Sequence, residues 1–438
     1  MSRTTRKHLL SMTDTLIKAN RAFKISLPQV VKKKDALVQL LSDCQEGAIS
    51  IGETMEKLYG EGTETVAELE SYCENLYQMT LVLEKSSQAK ELSQTLTRQL
   101  LKVRRLIEKE APDRLEAVFL PYKASMWDSL ESIWRAAEED PDCDAYVIPI
   151  PYYDRNPDGS FREEHYEGKQ FPEDVPITSY EDYDLGERMP DMIFIHNPYD
   201  DGNFVTSVHP YFYSKNLKNF TEKLVYVPYF VLAGDGIDKD YSTPSAVYYA
   251  DYVIARTEEE RQDYIRHCSK RWPEQNFEKK VLALGSPKID KVRSVTRDNV
   301  KIPDEWKERI EGKKVILYNT SLNGLLRASE AYLEKMKDVF TLFQSREDAV
   351  LLWRPHPLME STLLSMRPGL YTQYMELKDW FQKDAIGIFD DTTDMYPAIG
   401  ISDAYYGDWS SLVWLYRETG KPVMIQDVEI RNAQEEDE

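Results

Sequence analysis

The chain has 438 residues, 42% apolar and 30% charged, with 18 Gly and 22 Pro. That is a folded composition with room for two domains and a further element, and it excludes collagen-like, low-complexity and wholly disordered chains. A formal net charge of −21 excludes broad nucleic-acid binding, whose affinity comes mainly from neutralised phosphates.

No run nears the roughly 18–20 apolar residues of a membrane-spanning helix. The opening MSRTTRKHLLSMTDTL lacks an apolar h-region and a cleavage site, so a cytoplasmic protein is expected. Residues 1–36 carry nine Lys or Arg against Asp14 and Asp35, a local +7 that leaves −28 for the rest. Within this arm Leu9, Met12, Leu16, Ala19 and Phe23 share one helical side, with Lys18, Arg21 and Lys24 off the stripe. One reading is a weak interfacial helix making peripheral contact with the inner face of an anionic membrane. The other packs the stripe on the helices that follow, or on those of a second subunit in a homodimer.

Over 35–58, Leu37, Leu41, Cys44, Ala48, Ile51 and Met55 recur at helical spacing. After Tyr59-Gly60-Glu61-Gly62 the alternation resumes at Val66, Leu69, Cys73 and Leu76 and runs on through Leu96, Leu100, Val103 and Ile107, with no Pro in 29–111. The pattern predicts an α-helical hairpin with coiled-coil character, ended by Ala111-Pro112. The four cysteines, Cys44, Cys73, Cys143 and Cys268, show no zinc spacing and are expected as reduced thiols.

Beyond Pro112 the period changes. AVFLPY (117–122), a helix over 125–138 and AYVIPIPY (145–152) form a β-α-β unit, continued by MIFIH (192–196), LVYVPYF (224–230), DYVIA (251–255) and VLALG (281–285). A polar connector with a short helix spans 286–313. A second series follows: VILYN (315–319), AVLLWRPHP (349–357), IGIF (386–389), SDAYYGD (402–408) and PVMI (422–425), before an acidic tail. The division is 1–112 basic arm and hairpin, 113–295 a first Rossmann-like domain, and 296–438 a second Rossmann-like domain with the tail. Ligands of such sheets bind at the carboxyl ends of the strands.

Two strand ends carry candidate chemistry. Arg354-Pro355-His356-Pro357 sets a guanidinium two residues from an imidazole, a compact cationic pair suited to phosphate; its structural reading is a salt-bridged Arg beside a packed His. Asp408-Trp409-Ser410-Ser411 opens a helix that ends at Gly420, where small hydroxyl residues are N-caps and free N–H groups can receive an anion. No P-loop, GxGxxG, HExxH or GxSxG occurs. The doublets Asp200-Asp201 and Asp390-Asp391 lack companion ligands, so no metal is expected.

Together, RPHP and GDWSS-helix-GKPV resemble the donor domain of the CDP-glycerol glycerophosphotransferase family, the teichoic-acid polymerases and primases, well over 313–426 and weakly over 113–295. The resemblance implies a GT-B fold, two facing Rossmann-like domains with 113–295 as the acceptor side and 296–438 as the nucleotide-donor side, and transfer of glycerophosphate, ribitol phosphate or a related unit from a cytidine nucleotide to a cell-surface polymer or lipid-linked acceptor, without a cofactor. It implies donor-pyrophosphate contacts from Arg354, His356, Ser410 and Ser411, with Asp408 beside them. Asn319, Thr320 and Ser321 fall at the family's phosphate-side loop, and Asp394 and Asp403 where it carries acidic residues. The family's first-domain His-Gly loop is replaced here by Val225-Tyr226-Val227-Pro228-Tyr229-Phe230. His196, at the end of MIFIH with Asp200 and Asp201 nearby, is the substitute candidate for a general base, and His209 a second. The alternatives are a GT-B glycosyltransferase using a nucleotide sugar and a non-catalytic nucleotide-binding scaffold.

Overall fold

The computed structural model describes residues 1–426 apart from 204, 233 and 393; the acidic tail lies outside the described residues. The N-terminal region is a four-helix bundle rather than a hairpin: α1 (Arg3–Ser26), α2 (Val30–Tyr59), α3 (Glu64–Val82) and α4 (Ser86–Glu110). The turn that divides α3 from α4 at Leu83-Glu84-Lys85 contains neither Gly nor Pro. It closes through the Lys85 N–H on the Val82 carbonyl, 2.8 Å, so no sequence breaker announced it.

The α1 stripe is consumed inside this bundle. Leu9, Leu16 and Phe23 are buried in one core with Leu41, Ile51, Leu76, Leu100 and Val103, and burial of such side chains contributes roughly 1.5–3 kcal/mol each. This corrects the membrane-arm expectation, because the apolar side that would enter a bilayer faces the other helices. The same closure occupies the stripes through which homodimerisation was expected. Among the described residues no helix is long and apolar enough to cross a membrane. The bundle docks at the amino ends of the first sheet's strands, where the Arg3 N–H donates to Asp191 Oδ2 at 3.0 Å and Arg6 Nε to the Ala111 carbonyl at 2.7 Å.

The first α/β unit has strands β1 (Leu115–Leu120), β2 (Cys143–Val147), β3 (Tyr152–Arg155), β4 (Phe161–His165), β5 (Met192–Ile195), β6 (Thr206–Val208), β7 (Lys223–Tyr226), β8 (Tyr252–Ala255) and β9 (Val281–Ala283). Six make an all-parallel sheet in the order β2-β1-β5-β7-β8-β9. The antiparallel sheet β4-β3-β6 is an addition that the sequence reading missed, since its strands are short and polar.

The second unit is the parallel sheet β12-β11-β10-β13-β14, from β10 (Lys314–Thr320), β11 (Ala349–Pro355), β12 (Gly387–Phe389), β13 (Ala404–Gly407) and β14 (Val423–Ile425). Its central strands are buried on both faces, as a sheet covered by helices on each side requires. The fold is therefore α/β with two Rossmann-like sheets, as expected for GT-B.

The connector carries two helices, Pro287–Ser294 and Asp304–Ile310. The units meet across it. Tyr396 OH donates to Asp128 Oδ2, Lys288 Nζ lies 3.3 Å from the same oxygen, and Val231 packs against the core of the second unit. Tyr396 follows the carboxyl end of β12 and Asp128 that of β1, so the two sets of strand ends face one another.

Candidate functional site

The order of the second sheet reverses beside β10: the chain runs β10, β11, β12 outward and then returns to place β13 on the other side. That reversal is where an open α/β sheet leaves a crevice for ligand. Asn319, Thr320 and Ser321 come from one side of it, Asp408, Ser410 and Ser411 from the other. β13 approaches so closely that a Cβ at Gly407 would lie 2.4 Å from the Asn319 carbonyl oxygen, which restricts this position to glycine.

Asp408 is buried and fully engaged. Its carboxylate accepts from Lys335 Nζ, from Tyr332 OH and from the Ser321 N–H at 2.6 Å, so it braces the crevice and is not free for a ligand hydroxyl. Its burial, and then the Asp408 carboxylate beside it, push the Tyr332 phenol well above its ordinary range. Lys335 and Tyr332 lie on the helix Leu322–Gln344, in a segment whose letters carry no motif. Ser321 caps that helix through Oγ on the Gly324 N–H, 3.1 Å. The first-turn N–H groups beyond it point out of the strand end, a setting that favours an anion.

Asn319 ties three strand ends together. Its Nδ2 donates to the Arg354 carbonyl at 3.0 Å, and its Oδ1 accepts from Ser410 Oγ at 2.9 Å. Ser410 thus holds the crevice instead of capping its helix, which runs only Ser411–Arg417. Ser411 is exposed. Thr320 Oγ1 is taken by Trp353 Nε1, 3.0 Å, a core contact.

The RPHP pair divides. Arg354 is buried, with Nη1 2.5 Å from Asp390 Oδ2 and Nη2 2.8 Å from the Thr392 carbonyl, so its charge is spent on the loop after β12. His356 is half-buried, and its Nδ1 accepts the Leu358 N–H at 3.1 Å. A nitrogen accepting such a bond carries no proton, so the neutral ring bears its proton on Nε2 as a donor. Burial shifts the ring's pKa downward, which keeps it in that form.

The two outlying carboxylates part company. Asp394 is exposed beside the crevice and accepts the Tyr396 N–H at 2.9 Å, the helix-capping role. Asp403 sits at the amino edge of the sheet, bound to the Val315 N–H at 2.8 Å, Lys314 at 3.0 Å and Arg297 at 3.1 Å. It precedes β13 whereas the crevice follows it, so Asp403 leaves the candidate donor set.

The first sheet reverses between β1 and β5, and His196 fills that crevice. Its Nε2 accepts the Tyr122 N–H at 3.1 Å, and its Nδ1 lies 2.9 Å from Ser129 Oγ, which donates in turn to the Met126 carbonyl at 2.7 Å. The ring is fully buried, which pushes its pKa down to about 3. His196 is a neutral structural residue with both nitrogens used, and the general-base expectation is withdrawn. His209 is half-buried, but its Nδ1 accepts the Tyr211 N–H at 3.2 Å, which fixes it as an Nε2–H donor as well. Around these ends stand Tyr122, Tyr199 and Tyr229. Burial raises all three phenols, and Tyr199 and Tyr229 are hydrogen-bonded to each other.

Residues 239–436 match the family model described as CDP-glycerol:poly(glycerophosphate) glycerophosphotransferase, a span that includes β8, β9 and the whole second sheet. The match spans less than half of the chain and includes both the RPHP and the GDWSS segments. No curated protein matches the chain. Similar solved structures include a UDP-N-acetylglucosamine 2-epimerase, 14% identical over 72% of this chain and 78% of its own, TM-score 0.45. A second is the UDP-GlcNAc 2-epimerase of Neisseria meningitidis bound to UDP-GlcNAc, 12% identical over 71% and 82%, TM-score 0.40. The wall teichoic acid polymerase TagF is 13% identical over 83% and 79%, TM-score 0.36.

Proposed function

We propose that this protein is a transferase that moves a glycerophosphate or related polyol phosphate from a cytidine-nucleotide donor to a hydroxyl of a cell-surface polymer. The family match over 239–436 supports the activity. The observation that carries the site is the β10/β13 crevice, where the helix end after Ser321 and the His356 ring stand at adjacent strand ends, tied by the His356 N–H on the Thr320 carbonyl at 3.0 Å.

The donor pyrophosphate lies in that crevice. His356 Nε2–H donates to it, and the first N–H groups after Ser321 share the charge that develops as CMP leaves. Asp408, Lys335, Asn319, Ser410 and Arg354 hold these donors in place. The acceptor hydroxyl attacks the distal phosphorus, the P–O bond to CMP breaks, and the hydroxyl proton passes to solvent or to the leaving phosphate. No side chain is assigned as a base: His356 and His209 each present an Nε2–H donor.

Incubation with CDP-glycerol, CDP-ribitol and UDP-GlcNAc, followed by the melting temperature, tests the donor. A ligand at 100 times Kd stabilises by about 2.7 kcal/mol, and the cytidine compounds are expected to raise the midpoint. A shift with UDP-GlcNAc alone turns the reading to a glycosyltransferase. No shift with any nucleotide removes the donor site. CMP release in the presence of a poly(glycerophosphate) or glycan acceptor then separates an enzyme from a nucleotide-binding scaffold.

A further inference from the structure

We propose that a groove along the flank of the first sheet, running from Tyr199 after the carboxyl end of β5 to Trp272 before β9, binds an uncharged sugar, making it a subsite for a glycan acceptor. The groove has a volume of about 600 Å³. Its walls come from three places: Tyr199 on the loop after β5, Tyr248 and Tyr249 on the helix Ser245–Tyr249, and Trp272 just beyond the helix Glu258–Arg271. The first two walls are joined by the Ala246 N–H on the Pro198 carbonyl, 3.0 Å. Gln275 Nε2 at 3.2 Å and Lys280 Nζ at 2.6 Å on the Tyr248 carbonyl join the second to the third. Tyr199 is also hydrogen-bonded to Tyr229, so the groove adjoins the acceptor side of the cleft.

The lining decides the ligand's chemistry. Four half-buried aromatic rings face the groove and no Leu, Ile, Val or Met does. Tyr248 stands 5.2 Å from Trp272 and 4.9 Å from Tyr249, nearly perpendicular to the latter. The Arg271 guanidinium lies 5.0 Å over the Trp272 ring and Phe277 stacks on the same ring, so the tyrosines supply the flat apolar surface, which suits a ring with C–H bonds on its faces and hydroxyls at its edge. The edge partners are the carboxylates of Asp240 and Glu274, both exposed and neither engaged by another side chain among the described residues. Arg271 adds a donor and is itself 3.2 Å from Thr243 Oγ1.

Charge separates the two ligand classes. Two free carboxylates against one guanidinium, in a chain of net charge −21, repel a polyanionic phosphate chain. The same carboxylates accept strong bonds from sugar hydroxyls. The groove therefore selects a neutral saccharide. Assigning that saccharide to the acceptor rests on the transferase reading, whereas the binding itself does not.

The test is calorimetric titration of the full-length protein with maltose, cellobiose and chitobiose, and separately with glycerol 3-phosphate. Saturable binding of at least one disaccharide is expected, with none for glycerol 3-phosphate. Asp240→Asn with Glu274→Gln should weaken the sugar by about tenfold or more while leaving the melting temperature in place, since both side chains are exposed. Trp272→Ala should weaken it as well, but Trp272 also packs on Phe277, so the carboxamide pair is decisive. Absence of saturable sugar binding at ~50 mM, binding unchanged in the carboxamide pair, or preference for glycerol 3-phosphate each overturns the proposal. CDP-glycerol added to the same samples keeps the two ideas apart. A donor shift without sugar binding removes the subsite alone, and sugar binding without a donor shift removes the transferase reading and leaves a saccharide site.

Discussion

The two sheets reverse their strand order in the same way, between β1 and β5 and between β10 and β13, yet their crevices are furnished oppositely. The first is plugged by a neutral histidine that spends both nitrogens on the backbone and a serine and is walled by tyrosines. The second is braced by buried ionic and amide contacts that leave helix N–H groups and one imidazole N–H to the cleft. On the transferase reading the nucleotide diphosphate takes the preorganised donors of the second crevice, while an aromatic, uncharged wall suits the part of a substrate that carries no phosphate. On the same reading Arg354, Asp408 and Ser410, the engaged letters of RPHP and GDWSS, frame the crevice instead of lining it.

The largest effect expected from breaking this contrast is in the donor-side brace. Lys335→Met leaves Asp408 buried without its cation, and removal of one partner of a buried pair costs about 3–5 kcal/mol. Urea unfolding should register that loss in the midpoint. A change under about 1 kcal/mol would mean that the pair does not hold the crevice together.

The plug of the other crevice shows itself through pH. His196 titrates near 3 in the folded protein because it is buried, against about 6.5 when unfolded. As pH falls below 6.5 the unfolded chain takes up the proton first, so stability is full above that value and declines toward pH 3 by up to about 1.4 kcal/mol per unit. His196→Gln keeps an acceptor for the Tyr122 N–H and removes this slope. Identical slopes in the two proteins over pH 4.5–7.5 would show that His196 is not a buried neutral ring.

How much of this was legible in the sequence follows from what each signal measures. Apolar runs ending in polar turns gave all eleven strands of the two parallel sheets, because buried parallel strands must be continuous hydrophobic stretches. Strands β3, β4 and β6 escaped because they are three to five residues long and carry polar letters such as Asp154, Arg155 and Glu163 in a sheet only three strands wide. Helical spacing found the bundle's stripes but not how many helices share them, since the turn at Glu84 has no breaker. RPHP and GDWSS fall at the carboxyl ends of β11 and β13, on either side of β10. Spacing could not tell that Arg354 turns back to Asp390, that Asp403 lies at the opposite edge of the sheet, or that Lys335 arrives from a distant turn of helix, because all three are facts of tertiary packing.

A smaller and opposite pH effect belongs to the same loop as His196. Burial raises the Asp200 carboxyl to about 6, with Ser214 Oγ and N–H pulling the other way. The folded state keeps this proton where the unfolded state has lost it, so the contribution is full below about pH 4 and is lost as pH rises through 6. Asp200→Asn imitates the protonated group and suits the positive φ of 49° at this position, which Asn tolerates better than most residues. It should stabilise the protein at pH 7 by about 2 kcal/mol and steepen the rise of stability between pH 4 and 6. A variant no more stable than the parent at pH 7 would show that Asp200 is ionised at no cost.

The smallest energy is expected at the residue given the most direct role. His356→Ala removes the Nε2–H from the donor crevice, and loss of one such donor lowers turnover by at least about tenfold, or about 1.4 kcal/mol of transition-state stabilisation. The side chain is half-buried, and its bond from the Leu358 N–H closes a local turn, so the melting temperature should hardly move. The carboxamide of His356→Gln can still donate and should recover part of the rate. Steady-state CMP release decides the matter, read as kcat against KM for CDP-glycerol. A rise in KM with kcat unchanged would make His356 a ground-state contact only. Unchanged values of both would return the ring to packing and leave the helix end after Ser321 as the sole source of donors.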